Sequence, residues 1–143
     1  MIYKKLAQLT ERQLYLALKK YKYPQLIDLN EFDDKSVLDF FEPVYNFYIE
    51  AKCRSEHYDD YLLVEEKKWK EMKKVDQCYY INSTPHGIYA FDITNMEEPV
   101  FFPKTMKKSN MFKGKDEYVL KNVAALKYSD ASFNLEHLLF KYL

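Results

Sequence analysis

Glycine is almost missing from this chain. Gly87 and Gly114 are the only two in 143 residues. That excludes the Gly-rich phosphate loop and the dinucleotide fingerprint, which both need several closely spaced glycines. Cysteine is equally scarce, and Cys53 and Cys78 can form one disulfide at most. The segment MIYKKLAQLTERQ carries charges but no apolar run of the kind a secretory leader has, so reduced thiols and a cytoplasmic setting are expected. No stretch approaches the apolar length of a membrane span, and no membrane partner is expected. Net charge is absent too, since 22 basic and 22 acidic residues cancel. This argues against a polycationic coat on nucleic acid and leaves local patches open.

Aromatic residues, by contrast, are abundant. They make up 17% of the chain, with 14 Tyr and 10 Phe, inside a hydrophobic share of 48%. Long disorder is therefore not expected. The length suits one domain over 1–143, large enough to bury about two-thirds of its unfolded surface.

Thr10 followed by Gln13 has the form of a capping box and opens a helix over 11–21, which Pro24 closes off. The stretch 26–42 has a balance of −5, with Asp28, Glu31, Asp33, Asp34, Asp39 and Glu42 against Lys35. Within it SVLDFF (36–41) reads as a strand by its β-branched and aromatic content, and 42–46 as a turn. FYIEAKC (47–53) alternates. Phe47, Ile49, Ala51 and Cys53 line an apolar face, while Tyr48, Glu50, Lys52 and Arg54 line the other. A helix is expected over 62–74, with Leu62, Trp69 and Met72 as its thin apolar stripe. QCYYIN and GIYAFDI read as two strands joined by a five-residue link at 83–87. The segment 99–115 reads as loop, with a balance of +5 between Lys104 and Lys115. EYVLKNVAALKYS reads as a strand with a bend, and 134–142 as a closing helix.

Glu50 and Lys52 stand two apart on a strand and so leave it on one side. With Asp39 from the preceding strand they form a kit for metal-assisted hydrolysis. Asp39 and Glu50 would hold a hard divalent cation through oxygen, with the Ala51 carbonyl as a further ligand. Mg²⁺ is the natural choice and Mn²⁺ an alternative. Lys52 would orient the attacking water or assist its ionisation. The plainer reading of Glu50 and Lys52 is an exposed ion pair of little consequence.

With VLDFF, a short turn and YIEAKCR, the chain resembles the PD-(D/E)xK nuclease-like superfamily, shared by many restriction enzymes and Holliday-junction resolvases. The order of elements over Thr10 to Ile93 is similar, and FPKT and LKNVAAL look like small phage-type members. The resemblance implies a restriction-endonuclease-like α/β fold, a central mixed β-sheet flanked by helices. It also implies a metal-dependent nuclease in which Asp39 and Glu50 bind Mg²⁺ and Lys52 assists the water. Glu11 would be an auxiliary carboxylate from the first helix, and Lys67 or Lys68 an auxiliary basic residue on the helix after the motif. Leu38 stands where the motif has Pro, and Asp28, Asp33 and Asp34 are rivals to Asp39.

Arg54, Lys104, Lys107 and Lys108 are candidates for phosphate contact, by which lysines position a duplex without reading it. The expected partner is nucleic acid, DNA before RNA, and a homodimer would double the phosphate-binding surface. The alternative is a catalytically inactive module of the same fold that binds nucleic acid or protein in a phage or mobile-element assembly. A zinc site from Cys53, His57, Cys78 and His86 lacks the paired short spacings of a structural site.

Overall fold

Thr10 begins the first helix as its sequence requires. In the computed structural model, which describes residues 9–33, 35–54, 60–84, 87–107 and 118–135, Gln13 N donates to Thr10 Oγ1 at 3.1 Å and Thr10 N donates to Gln13 Oε1 at 2.9 Å. Helix α1 then runs Glu11–Tyr21 and buries Leu14, Tyr15, Ala17 and Leu18. Thr10→Ala removes one of these two bonds and should lower stability by about 1 kcal/mol. The expected sign is a lower urea midpoint with an unchanged m-value.

Nine strands are formed among the described residues: β1 (Ile27–Asp28), β2 (Phe40–Glu42), β3 (Phe47–Cys53), β4 (Tyr61–Glu65), β5 (Cys78–Thr84), β6 (Gly87–Asp92), β7 (Phe102–Lys107), β8 (Tyr118–Lys127) and β9 (Phe133–Asn134). Helix α2 spans Glu66–Lys73. Six strands form one sheet in the order β1-β2-β3-β5-β6-β9, and three form another in the order β4-β8-β7. The larger sheet is mixed: β3 and β5 are parallel and its other pairs antiparallel. The β4–α2 segment makes the crossover that a parallel neighbour requires.

Both faces of the larger sheet are buried. Phe40, Phe47, Ile49, Ala51, Ile81 and Ile88 pack against α1 through Leu14, Tyr15 and Leu18. On the opposite face Leu38, Tyr80, Phe91 and Ile93 meet Trp69 and Met72 of α2 and Leu62, Val64, Ala124 and Leu126 of the smaller sheet. The molecule is thus mixed α/β with a sheet-rich core. A helix flanks the central sheet on one face, but a second sheet together with α2 covers the other.

Several elements differ from the sequence reading. Strand β2 begins at Phe40 rather than Ser36, because local polar groups claim the backbone ahead of it. Ser36 N donates to Asp33 O at 3.0 Å, and Ser36 Oγ donates to Leu38 O at 2.7 Å. Such bonds compete with a ladder. Residues 61–65 are strand, not the start of a helix. Leu62, Leu63 and Val64 are all buried, and a strand covered on both faces shows a continuous apolar run instead of alternation. The segment 102–107 is strand rather than loop; it lies at the sheet edge, where Pro103 is tolerated. β8 runs ten residues without the expected bend. Thr84 pairs with Gly87, so the hairpin link is tighter than 83–87. Asn134 ends a strand, and the remainder of the expected closing helix lies outside the described residues.

Candidate active site

The β2–β3 register builds the site. Phe40 stands opposite Ile49, and both enter the core beneath α1. One step further along, Asp39 comes opposite Glu50, and alternation sends both to the other face. Asp39 lies just ahead of β2, where no ladder partner faces Ala51. Its carboxylate fills that gap: Oδ2 accepts from Ala51 N at 2.9 Å and Oδ1 from Asn30 Nδ2 at 3.1 Å. The Asp39 carbonyl accepts from Leu29 N at 2.9 Å.

The rival aspartates are used elsewhere. Asp28 Oδ1 accepts from Asn30 N at 3.0 Å, and Oδ2 faces Arg12 at 3.4 Å. Asp33 Oδ1 accepts from Lys35 N at 3.0 Å. Glu42 tightens the β2–β3 turn by accepting from Tyr45 N at 2.6 Å. Asp34 lies outside the described residues.

Glu50 is 8% exposed. Its Oε2 is 3.2 Å from Lys68 Nζ, while its Oε1 is buried with no hydrogen-bond partner. The carboxyl lies within hydrogen-bonding reach of Asp39. Burial, reinforced by the Asp39 charge, pushes the Glu50 pKa up to about 8 even though Lys68 pulls the other way. Glu11, the first residue of α1, also reaches Asp39. Partial loss of water, then Asp39 and Asp28, push its pKa up to about 7 against the opposing charge of Lys52. Asp39 thus interacts with two acids distant from it in sequence, Glu11 and Glu50.

Lys52 is exposed and lines a small cavity of about 80 Å³ with Glu50, Arg54, Lys68, Tyr80 and Met106. Lys67 is exposed and borders a wider cleft of about 490 Å³ between α2 and β8. Lys68 is the helix lysine that turns inward. Burial opposes its charge, but Glu50 and Glu71 outweigh that and raise its pKa. Asn30 and Glu71 were not among the residues singled out in the sequence. Only Glu71 carries a readable signal, at i+3 from Lys68 on a helix.

The phosphate-contact candidates are dispersed. The Arg54 guanidinium is committed inside the protein: Nε donates to Asn82 Oδ1 at 2.9 Å, and Nη2 donates to Tyr80 Oη at 3.0 Å and to the Leu63 carbonyl. It bridges the two sheets. Arg54→Met leaves these buried acceptors without a donor, so it should cost about 2–4 kcal/mol in chemical denaturation. The salt dependence of any nucleic-acid binding should be unaltered. Lys104 stands opposite Lys121 on the β7–β8 ladder, and Lys107 ends β7 opposite Tyr118. Lys108 lies outside the described residues, as do His57 and His86.

Cys53 and Cys78 are free thiols. Burial pushes their pKa values up to about 11 and about 12, which makes them poor nucleophiles and metal ligands. Among the described residues no three Asp, Glu, His or Cys side chains stand as a ready-made metal-binding group. Nor, among those residues, is any helix long and apolar enough to cross a membrane. No family model, curated protein or solved structure matches the chain.

Proposed function

We propose that this chain is a metal-dependent nuclease of the PD-(D/E)xK type, hydrolysing phosphodiester bonds of nucleic acid, with DNA the favoured substrate. One observation carries the reading: the carboxyls of Asp39 and Glu50 lie side by side, and Glu50 Oε1 is buried without a donor. Two carboxyls so placed need either a shared proton or a cation between them. A hairpin that leads through a crossover into a parallel strand supports the same reading, because it gives the Glu50–Lys52 strand a neighbour on each side.

The donor set suits Mg²⁺ or Mn²⁺. Mg²⁺ keeps several waters and is commonly held by only one or two carboxylates, so a three-acid cage is not required. Asp39 and Glu50 would supply the carboxylates. The Ala51 N–H points at Asp39, and the N–H and C=O of one strand residue face the same neighbour, so its carbonyl is directed to that side as well. Bound there, the metal would supply Lewis-acid stabilisation of the phosphate charge and a more acidic water.

The chain's own residues do the rest. Lys52, on the same side of β3 as Glu50, holds and orients the water that attacks phosphorus. Asn30 and the Ala51 amide fix the Asp39 carboxylate, so that its free lone pairs keep one direction. Glu11 adds a third carboxyl at the edge of the site, able to take up a proton near neutral pH.

The test is a cleavage assay on supercoiled plasmid, single strands and a four-way junction, with Mg²⁺, Mn²⁺ or EDTA. Metal-dependent cutting by the wild type, lost in Glu50→Ala and Lys52→Ala with the fold intact, is the expected result. Salt-sensitive binding without cutting would instead make the domain an inactive nuclease-fold module. The Lys68 ammonium on Glu50 is the feature that would favour that outcome.

A further inference from the structure

Among the described residues, Lys68 is the cation that pairs with Glu50 at the acidic centre. Its Nζ lies 3.2 Å from Glu50 Oε2 and 3.1 Å from Glu71 Oε2, and donates to Val37 O at 2.8 Å. Those three acceptors use all three N–H bonds of an ammonium. They come from three elements: β3, α2 itself, and the bend ahead of Asp39. Glu50 is buried, so this is not a loose surface pair. Yet the pairing is incomplete, because Glu50 Oε1 has no partner and Asp39 stands beside it.

We propose that Lys68 is a displaceable counter-cation that sets the affinity of the Asp39–Glu50 site for a divalent metal. This rests on the metal-site reading given above. In the metal-free protein the ammonium neutralises Glu50 whenever its carboxyl is ionised, and keeps that carboxylate in place. A divalent ion held by Asp39 and Glu50 would stand within a few ångströms of that ammonium, and like charges at such range in a poorly solvated site repel strongly. The lysine has somewhere to go. Its flexible four-carbon stem lets Nζ leave Glu50 while keeping Glu71 and the Val37 carbonyl, so it remains paired when displaced. Metal binding is therefore an exchange of one cation for another on Glu50.

The competing role is that of an anchor tying α2 to the Val37 bend, and the two roles predict opposite signs. Loss of an anchor disorganises Asp39 and Glu50 and weakens metal binding. Loss of a counter-cation strengthens it. Direct Mn²⁺ titration at pH 8, followed by electron paramagnetic resonance of the free ion and by calorimetry, reads that sign without reference to activity. Lys68→Met should bind Mn²⁺ about tenfold more tightly or better, at unchanged stoichiometry, while Lys68→Arg stays within about twofold of wild type. Equal or weaker binding by a folded Lys68→Met protein overturns the proposal.

Glu71→Gln supplies a second reading should Lys68→Met fail to fold. It removes the alternative position of the ammonium, so Mn²⁺ binding should weaken severalfold; unchanged or tighter binding overturns the proposal just as firmly. Wild type and Lys68→Met that both bind no Mn²⁺ would remove the metal site itself. Two proteins that bind it equally well would remove only the role of Lys68.

Discussion

Glu50→Gln should abolish metal-dependent cleavage and yet make the metal-free protein more stable at pH 8. The two effects share one cause. Glu50 is a carboxyl in a place that disfavours its charge, with a pKa pushed up to about 8 by burial and by Asp39. A group whose folded-state pKa lies above its unfolded value contributes stability below the unfolded pKa and loses it as pH rises through the folded one. The wild-type, metal-free protein should therefore lose on the order of a few kcal/mol between about pH 4.5 and about pH 8.

Glutamine at 50 keeps the shape and carries no charge, so most of that slope should vanish. A smaller fall ending near pH 7 should remain, because the Glu11 pKa is pushed up to about 7. Urea denaturation of both proteins in EDTA at pH 5, 7 and 9 measures this directly. Parallel slopes in the two proteins would show that Glu50 is not the titrating group.

On the proposed function, a bound metal would turn the same liability to use. Binding at Glu50 must expel its proton, so Mg²⁺ affinity and Mg²⁺-induced stabilisation should both rise with pH up to about 8. Cleavage should follow. Replacing one of two carboxylate ligands should reduce it by about a thousandfold or more. An active Glu50→Gln enzyme would place the chemistry elsewhere in the molecule.

Lys52→Ala is the second large expected effect, and on the proposed function it should be a purely catalytic one. The side chain is exposed, so its removal should change stability by no more than about 0.5 kcal/mol. A group that positions water or carries its proton contributes about 10²- to 10⁴-fold, and cleavage should fall by that amount. Mn²⁺ binding should persist, since Lys52 is not a ligand. Lys67→Ala is the matching control: it lies on the exposed face of α2 and should leave the rate of the chemical step unchanged. If Lys52→Ala cuts at the wild-type rate, Lys52 is an exposed lysine with no part in the chemistry.

The parts of the molecule that were readable in advance are those whose signals are local. The capping box at Thr10 and Gln13 starts α1 where expected, because a reciprocal pair of hydrogen bonds needs only four consecutive residues. β3 alternates cleanly, and its apolar side does enter a core. The positions of Glu50 and Lys52 on one side of that strand follow from backbone geometry alone.

The other side of β3 was a different matter. Its alternation is equally compatible with an exposed ion pair and with a site, but Glu50 lies under α2 and the smaller sheet because β4 and β8, more than fifty residues apart, pair and close over it. The same closure converts Leu62-Leu63-Val64 from an expected helical stripe into a doubly buried strand, and it turns Arg54 inward as a bridge between sheets.

By itself, then, the sequence determined the mixed α/β character, the first helix, the β2–β3 hairpin and the side of the strand on which Glu50 and Lys52 leave. Only the tertiary structure decided which aspartate meets Glu50, how deeply Glu50 is buried, and that Lys68 rather than Lys67 reaches it. The division has a physical reason. Side-chain direction is set by a residue's own backbone and its immediate neighbours. Burial, and the charge balance it controls, are set by whichever distant segments happen to cover the residue.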